Sequence, residues 1–197
     1  MAEFTRGFKS WAERTALRFR QDIGVEHHAP LLATSLAEHL GVVLLTPHDV
    51  LGLSKAHLRQ LIKEDAGGWS AITLHLGEQD VVIYNPAHSA RRISSDIMHE
   101  LSHIVSEHKP AQAVLSADGK MLMRHYDPRQ EREAAWLSGC LLLPREALLH
   151  IKEQRVSDSQ VCQNYAVSSE LLRWRVNVTG VAYQIKRSVS KHRMQDK

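Results

Sequence analysis

The sequence is poor in cysteine: only Cys140 and Cys162 occur in 197 residues, each in an apolar or helical stretch and not in a CxxC pair. That excludes a disulfide framework and fits a reducing compartment. No apolar run approaches the ~18 residues that a membrane span needs. The first eleven residues carry Glu3, Arg6 and Lys9 with no apolar stretch of the secretory kind, so the expected location is cytoplasmic. Neither sign of charge dominates, with 25 Lys and Arg against 22 Asp and Glu, a formal charge of +3 and a pI near 9.0. A dedicated nucleic-acid binder carries a denser basic stripe, so charge alone gives DNA binding little support. There is no internal repeat and no low-complexity segment. What remains, 43% hydrophobic and 24% charged residues, is the composition of a globular chain able to bury a core. The length suits one domain, with or without a short appendage.

Apolar periodicity predicts a helix from Trp11 to Asp22, stopping near Gly24, and a second from Pro30 to Leu40, closed by Gly41. Val42 to Leu45 is a short apolar run before Pro47 and reads as a buried strand. Ser54 is placed to cap a helix through Glu64, which Gly67 and Gly68 break. Ala71–Leu76 and Val81–Tyr84 read as a β-hairpin. From Ala90 onward the pattern is helical, with a loop-like gap from Lys109 to Asp127. The order of helices, small sheet and helices predicts an α+β fold with about three strands on one side of the core. Residues from about Lys186 read as a frayed basic tail.

The segment Ser94-Ser95-Asp96-Ile97-Met98-His99-Glu100-Leu101-Ser102-His103 contains HExxH. Residues four apart sit one above the other on a helix, so His99 and His103 can reach one metal ion. Glu100, offset by one residue, lies beside that ion without having to ligate it and can take a proton from water there. Ser94 or Ser95 is expected to cap this helix, and Ile93, Ile97, Leu101, Ile104 and Val105 to bury it. With 13 His and 13 Glu in the chain, a chance HExxH has odds of roughly one in twenty. Its placement on an amphipathic helix favours a metal site over an accidental pair of histidines.

A catalytic zinc takes three protein ligands and leaves a position for water. The third ligand is expected from a helix that opens with Asp127 as cap and Pro128 at its first position. Glu131 shares a face with the small residues Ala134, Ala135 and Ser138, which favours it over Glu133, whose face holds Trp136, Leu137 and Cys140.

These motifs together make the sequence resemble the ImmA/IrrE family of metallo-endopeptidases, over roughly residues 11 to 185. An extended run ending in Asn85 precedes Arg91-Arg92 and the HExxH helix. Then comes a block from Glu131 through Ala134 to Leu141-Leu142-Leu143-Pro144, and after it Val167-Ser168 leading to Arg173. Ala135 stands where the family usually has Asn, Leu137-Ser138 where it has Phe-Ala, and Ser102 replaces a common Gly. None of these departures removes a ligand or the base. The resemblance implies a compact zincin-like domain over residues 1–185, its 155–185 segment a helical hairpin of helix-turn-helix type. It implies a Zn2+-dependent endopeptidase acting on a protein partner, a helix-turn-helix repressor or similar regulator encoded nearby.

In that mechanism His99, His103 and Glu131 hold the metal and Glu100 moves the proton. His125 and Tyr126 are the nearby polar candidates for a second donor to the developing oxyanion. The strand Val81–Tyr84 is a candidate for pairing with an extended substrate. Two other readings compete. Ser157 to Arg175 could form a DNA-binding helix-turn-helix with Arg173 and Arg175 on its second helix, although Leu171, Leu172, Trp174 and Val176 are more apolar than a groove-reading helix exposes. Alternatively the metal is structural, in one half of a toxin–antitoxin pair, with Cys140 the conceivable fourth ligand. Trp11, Trp69, Trp136 and Trp174 read as core or interface anchors, and the histidines outside the motif as surface or capping groups.

Overall fold

The computed structural model describes residues 4–109, 113–115, 121–124 and 127–184. The expected tail, residues 186–197, lies outside them. Helix α1 (Phe8–Ile23) buries Ala12, Thr15, Ala16, Phe19 and Arg20 along one face and ends at Gly24, whose φ of 80° supplies the left-handed closure. Helix α2 (Ala33–His39) leads to β1 (Val43–Leu45). Helix α3 (Lys55–Arg59) is capped by Ser54, as expected, and continues as a π-helical turn through Glu64. The hairpin follows as β2 (Ala71–Leu76) and β3 (Gln79–Tyr84), then α4 (Ala90–Val105).

The gap read as loop contains a two-stranded antiparallel ribbon, β4 (Ala113–Leu115) and β5 (Met121–Arg124). Four helices complete the described chain: α5 (Pro128–Leu142), α6 (Arg145–Glu153), α7 (Asp158–Asn164) and α8 (Ser169–Thr179). The fold is α+β, with a small mixed sheet on a mostly helical body.

The sheet order is β1-β3-β2, with β1 parallel and β2 antiparallel to β3. This corrects the expected docking strand. Val81–Tyr84 lies in the middle, and both its edges are already paired. Among the described residues the outer strands are β1 and β2, each with one edge free of a strand partner.

Helix α5 is the hub, packing against α4, α1 and α8. Leu137, Leu141 and Leu142 are buried on it, each worth about 1.5–3 kcal/mol of apolar transfer. Gly139 lets α8 approach closely: a Cβ there would lie 2.5 Å from the Trp174 ring. Two arginines with no exposed surface tie the helices together. Arg20 donates to the carbonyls of Ala16, Ala29 and Leu141 at 3.0, 3.0 and 2.8 Å. Burial lowers its pKa from 12.5 to about 10, against the opposing pull of Tyr165 and Glu13, so it stays cationic at neutral pH. Arg175 donates to the Leu143 carbonyl at 2.9 Å and to Glu13 at 2.5 Å.

Arg175 was one of the two residues meant to face DNA in the alternative reading. Buried and paired with Glu13, it braces α8 against α1 and the end of α5 instead.

Candidate metal centre

Helix α4 starts a turn earlier than its serine pair suggested: Ser89, not Ser94 or Ser95, is the cap, its hydroxyl accepting from Arg92 N at 3.4 Å. The segment before it is knotted down. Asn85 is fully buried, donating to the carbonyls of Ala66 and Trp69 at 2.8 and 3.1 Å and accepting from Ala87 N at 3.0 Å. Arg92 reaches Ser70 Oγ at 3.1 Å. The Asn and Arg of the family-like pattern thus fix the entry of α4 against the sheet.

Ile97, Met98, Leu101 and Ser102 turn one face of α4 into the core. His99, Glu100 and His103 are left half-buried on the other side. Helix α5 begins at the expected Asp127 cap, whose carboxylate accepts from Arg129 N at 2.8 Å, with Pro128 at the first position. This brings Glu131 to the two imidazoles. His99 Nε2 is 3.2 Å from Glu131 Oε2, His103 Nε2 is 3.2 Å from His99 Nε2, and His103 Nε2 is 3.7 Å from Glu131 Oε2.

A tetrahedral zinc with bonds near 2.05 Å has ligand–ligand edges of about 3.3 Å. The three donor atoms therefore match one face of such a site, and they form a candidate metal-binding cluster. The donor chemistry agrees. Burial first, and then the neighbouring His99, push His103 from 6.5 down to about 4, against the pull of Glu131. At neutral pH its ring is uncharged, so one of its two nitrogens keeps a lone pair that a metal can take.

Glu100 lies one residue round the helix from His99, and Thr73 Oγ1 of β2 donates to its Oε2 at 2.6 Å. The sequence offered no signal for this contact, because it joins residues of two elements whose packing was unknown.

Glu133 does not join the cluster. It is 6% exposed, and its Oε1 accepts from the backbone N and hydroxyl of Thr5 at 3.1 and 2.9 Å. Its Oε2 is 3.4 Å from His108 Nε2. Burial would raise the Glu133 pKa, but the two Thr5 hydrogen bonds and His108 together hold it below the usual carboxylate value.

His108, expected at the surface, has a side chain only 7% exposed. Its Nδ1 lies 3.0 Å from Nδ1 of His103. The end of α4 puts it there. Glu107 takes a left-handed φ of 51°, Glu107 N bonds to Ile104 O at 3.0 Å, and His108 N bonds to His103 O at 3.1 Å. Those two hydrogen bonds form a Schellman closure. Burial, the largest influence, holds the His108 pKa below the usual histidine value, with Glu133 pulling the other way.

His125 and Tyr126, the candidate oxyanion donors, lie outside the described residues. Cys140 is fully buried beside Arg175 and Glu13 and is absent from the donor cluster; burial raises its thiol to about 12. The closed four-ligand reading thereby loses its cysteine. Among the described residues, no helix is long and apolar enough to cross a membrane.

A comparison with characterised proteins returns no match. Among solved structures, this chain is similar to a Mycobacterium tuberculosis transcriptional regulator, at 14% sequence identity and a TM-score of 0.51. That alignment covers 88% of this chain and 47% of the other, so the chain spans about half the length of that protein, and the likeness is one of fold. The IrrE N-terminal-like domain matches residues 37–177, a span that holds the HExxH helix, the third donor on α5 and the sheet beside them. By that match, the chain belongs to the IrrE N-terminal-like family of metallopeptidases.

Proposed function

We propose that this protein is a zinc-dependent endopeptidase that cleaves a protein partner, a helix-turn-helix repressor or related regulator encoded nearby. The observation that carries the reading is the convergence of His99, His103 and Glu131 on one point, with Glu100 beside them. These three residues would hold the zinc, which when bound polarises the scissile carbonyl and acidifies water. Glu100 takes the water proton as the carbonyl carbon is attacked and returns it to the departing amine, so proton number is conserved. Thr73 holds the carboxylate at a fixed angle while it does so.

An extended segment of the partner pairs with the outer edge of β2, which lays its backbone past the base. Main-chain pairing of this kind reads shape more than side chains. Exclusion of water and selection of the partner then fall to the rest of the surface.

The test is substitution of the base. Glu100→Gln should retain one zinc per chain and leave the co-purified or co-expressed repressor intact, whereas the wild-type chain cuts it at a site mapped by intact mass. Cleavage by the Gln variant at the wild-type rate would refute the role of Glu100.

A further inference from the structure

The HExxH pair and Glu131 use only one nitrogen of each imidazole. The other nitrogen of a metal-bound histidine usually donates to an outer partner, which fixes the ring and its tautomer. For His103 that partner is His108. Nδ1 of His103 faces Nδ1 of His108 at 3.0 Å. Two ring nitrogens at that distance need one proton between them. If His103 is to keep the Nε2 lone pair for a metal, its proton sits on Nδ1 and is donated to His108.

His108 then carries its own proton on Nε2. That atom is buried, has no partner in hydrogen-bond geometry among the described residues, and has the Glu133 carboxylate 3.4 Å away. Glu133 is in turn clamped on its other oxygen by Thr5 N and Thr5 Oγ1. Every group from Thr5 to His103 thus has one consistent protonation: His103 donates to His108, and the Nε2–H of His108 and both Thr5 donors face the Glu133 carboxylate.

We propose that His108 and Glu133, anchored by Thr5, are positioning residues that fix the ring of His103 for metal binding. The inference rests on the proposed metal site and extends it: the second glutamate of α5 serves the site from behind the first ligand shell. An unpaired carboxylate this deeply buried would be costly unless something held its charge, and the Thr5 and His108 contacts do so. The Schellman closure after α4 gives the contact its rigidity, since the His108 backbone is hydrogen-bonded to the residue whose ring it orients.

The experiment measures the metal and not turnover. Full-length wild type, His108→Leu, His108→Asn and Glu133→Gln are titrated with Zn2+ in competition with a chromophoric chelator. The visible spectrum of each is then recorded with Co2+ in place of zinc. His108→Leu removes the acceptor and should weaken zinc binding 10–100-fold, the usual effect of losing an outer-shell partner, and alter the cobalt bands. Asn presents its Oδ1 where Nδ1 stood and should restore affinity to within a few-fold of wild type. Glu133→Gln should weaken binding in the same direction.

If His108→Leu proves poorly folded by circular dichroism, the Asn and Gln variants decide. Wild-type affinity and spectrum in Glu133→Gln would then overturn the inference. Equal losses in Leu and Asn would overturn it too, because packing and not the acceptor would then matter. A wild-type chain that takes up no zinc at all is a different failure: it sinks the proposed function itself.

Discussion

Replacing Arg175 by Met separates a structural arginine from a DNA-reading one. The guanidinium has no exposed surface, and it donates to Glu13 at 2.5 Å and to the Leu143 carbonyl at 2.9 Å. Met keeps most of the stem volume, so the loss is chiefly one of charge and hydrogen bonds. Breaking a buried ion pair from one side costs about 3–5 kcal/mol, because the remaining charge is stranded. Glu13 is 26% exposed and keeps a hydrogen bond from Arg145 N at 3.0 Å, which places its share near the low end. The Leu143 carbonyl, left without its donor, adds about 1 kcal/mol.

The sum, about 3–4 kcal/mol, is a large part of the 5–15 kcal/mol that holds a typical domain together. For a chain of this length it lowers Tm by about 6–16 °C. Thermal unfolding of the metal-free protein, followed by circular dichroism, reads it directly. Adding Glu13→Leu removes the stranded charge and should recover half or more of the loss, which a double-mutant cycle quantifies. An Arg175→Met variant within 1 kcal/mol of wild type, or strict additivity with Glu13→Leu, would refute the bracing role. Loss of salt-sensitive DNA retention in a stable variant would instead revive the DNA-binding reading.

Three further outcomes follow from the packing and the charges. In the presence of chelator, stability should fall as pH drops from 7 to 5, because the unfolded chain binds a proton on His103 near 6.5 while the folded chain resists until about 4. The sign is loss on the acid side, worth about 2 kcal/mol over that window, and urea midpoints of wild type against His103→Asn should show the difference shrink. Gly139→Ala should destabilise by about 1–3 kcal/mol despite alanine's better helix propensity, since the new methyl meets the Trp174 ring, and chemical denaturation would measure it. Cys140, buried and with its thiol raised to about 12, should resist a thiol reagent in the native protein and react only on unfolding, as timed mass spectrometry would record.

Features of short sequence range were legible before the structure. The four-residue spacing of His99 and His103, the Asp127-Pro128 helix start, the Ser54 cap and the β2–β3 hairpin all follow from local geometry. The preference for Glu131 rests on its small neighbours, and the packing bears out that reason only in part. Glu131 meets the imidazoles and Ala134 and Ser138 are buried, but Ala135 is exposed, so two of the three small neighbours pack inward. What could not be read depends on contacts distant in sequence. His108 looks like any surface histidine until Glu133, itself held by Thr5, is seen beside its ring. Nor does the pattern of Val81–Tyr84 reveal that β1 takes its second edge in parallel. Arg175, two residues from an exposed Arg173, gives no sign in sequence that its charge belongs to Glu13.

The left-handed turn at Glu107 means that the ring behind His103 is set by backbone bonds spanning no more than five residues. An arrangement of such short range assembles together with its helix and does not wait for the connection to α5 to be laid down. A change of length or sequence in that connection should therefore leave the backbone placement of His108 against His103 intact, while its partner Glu133 arrives only when α5 packs against α4.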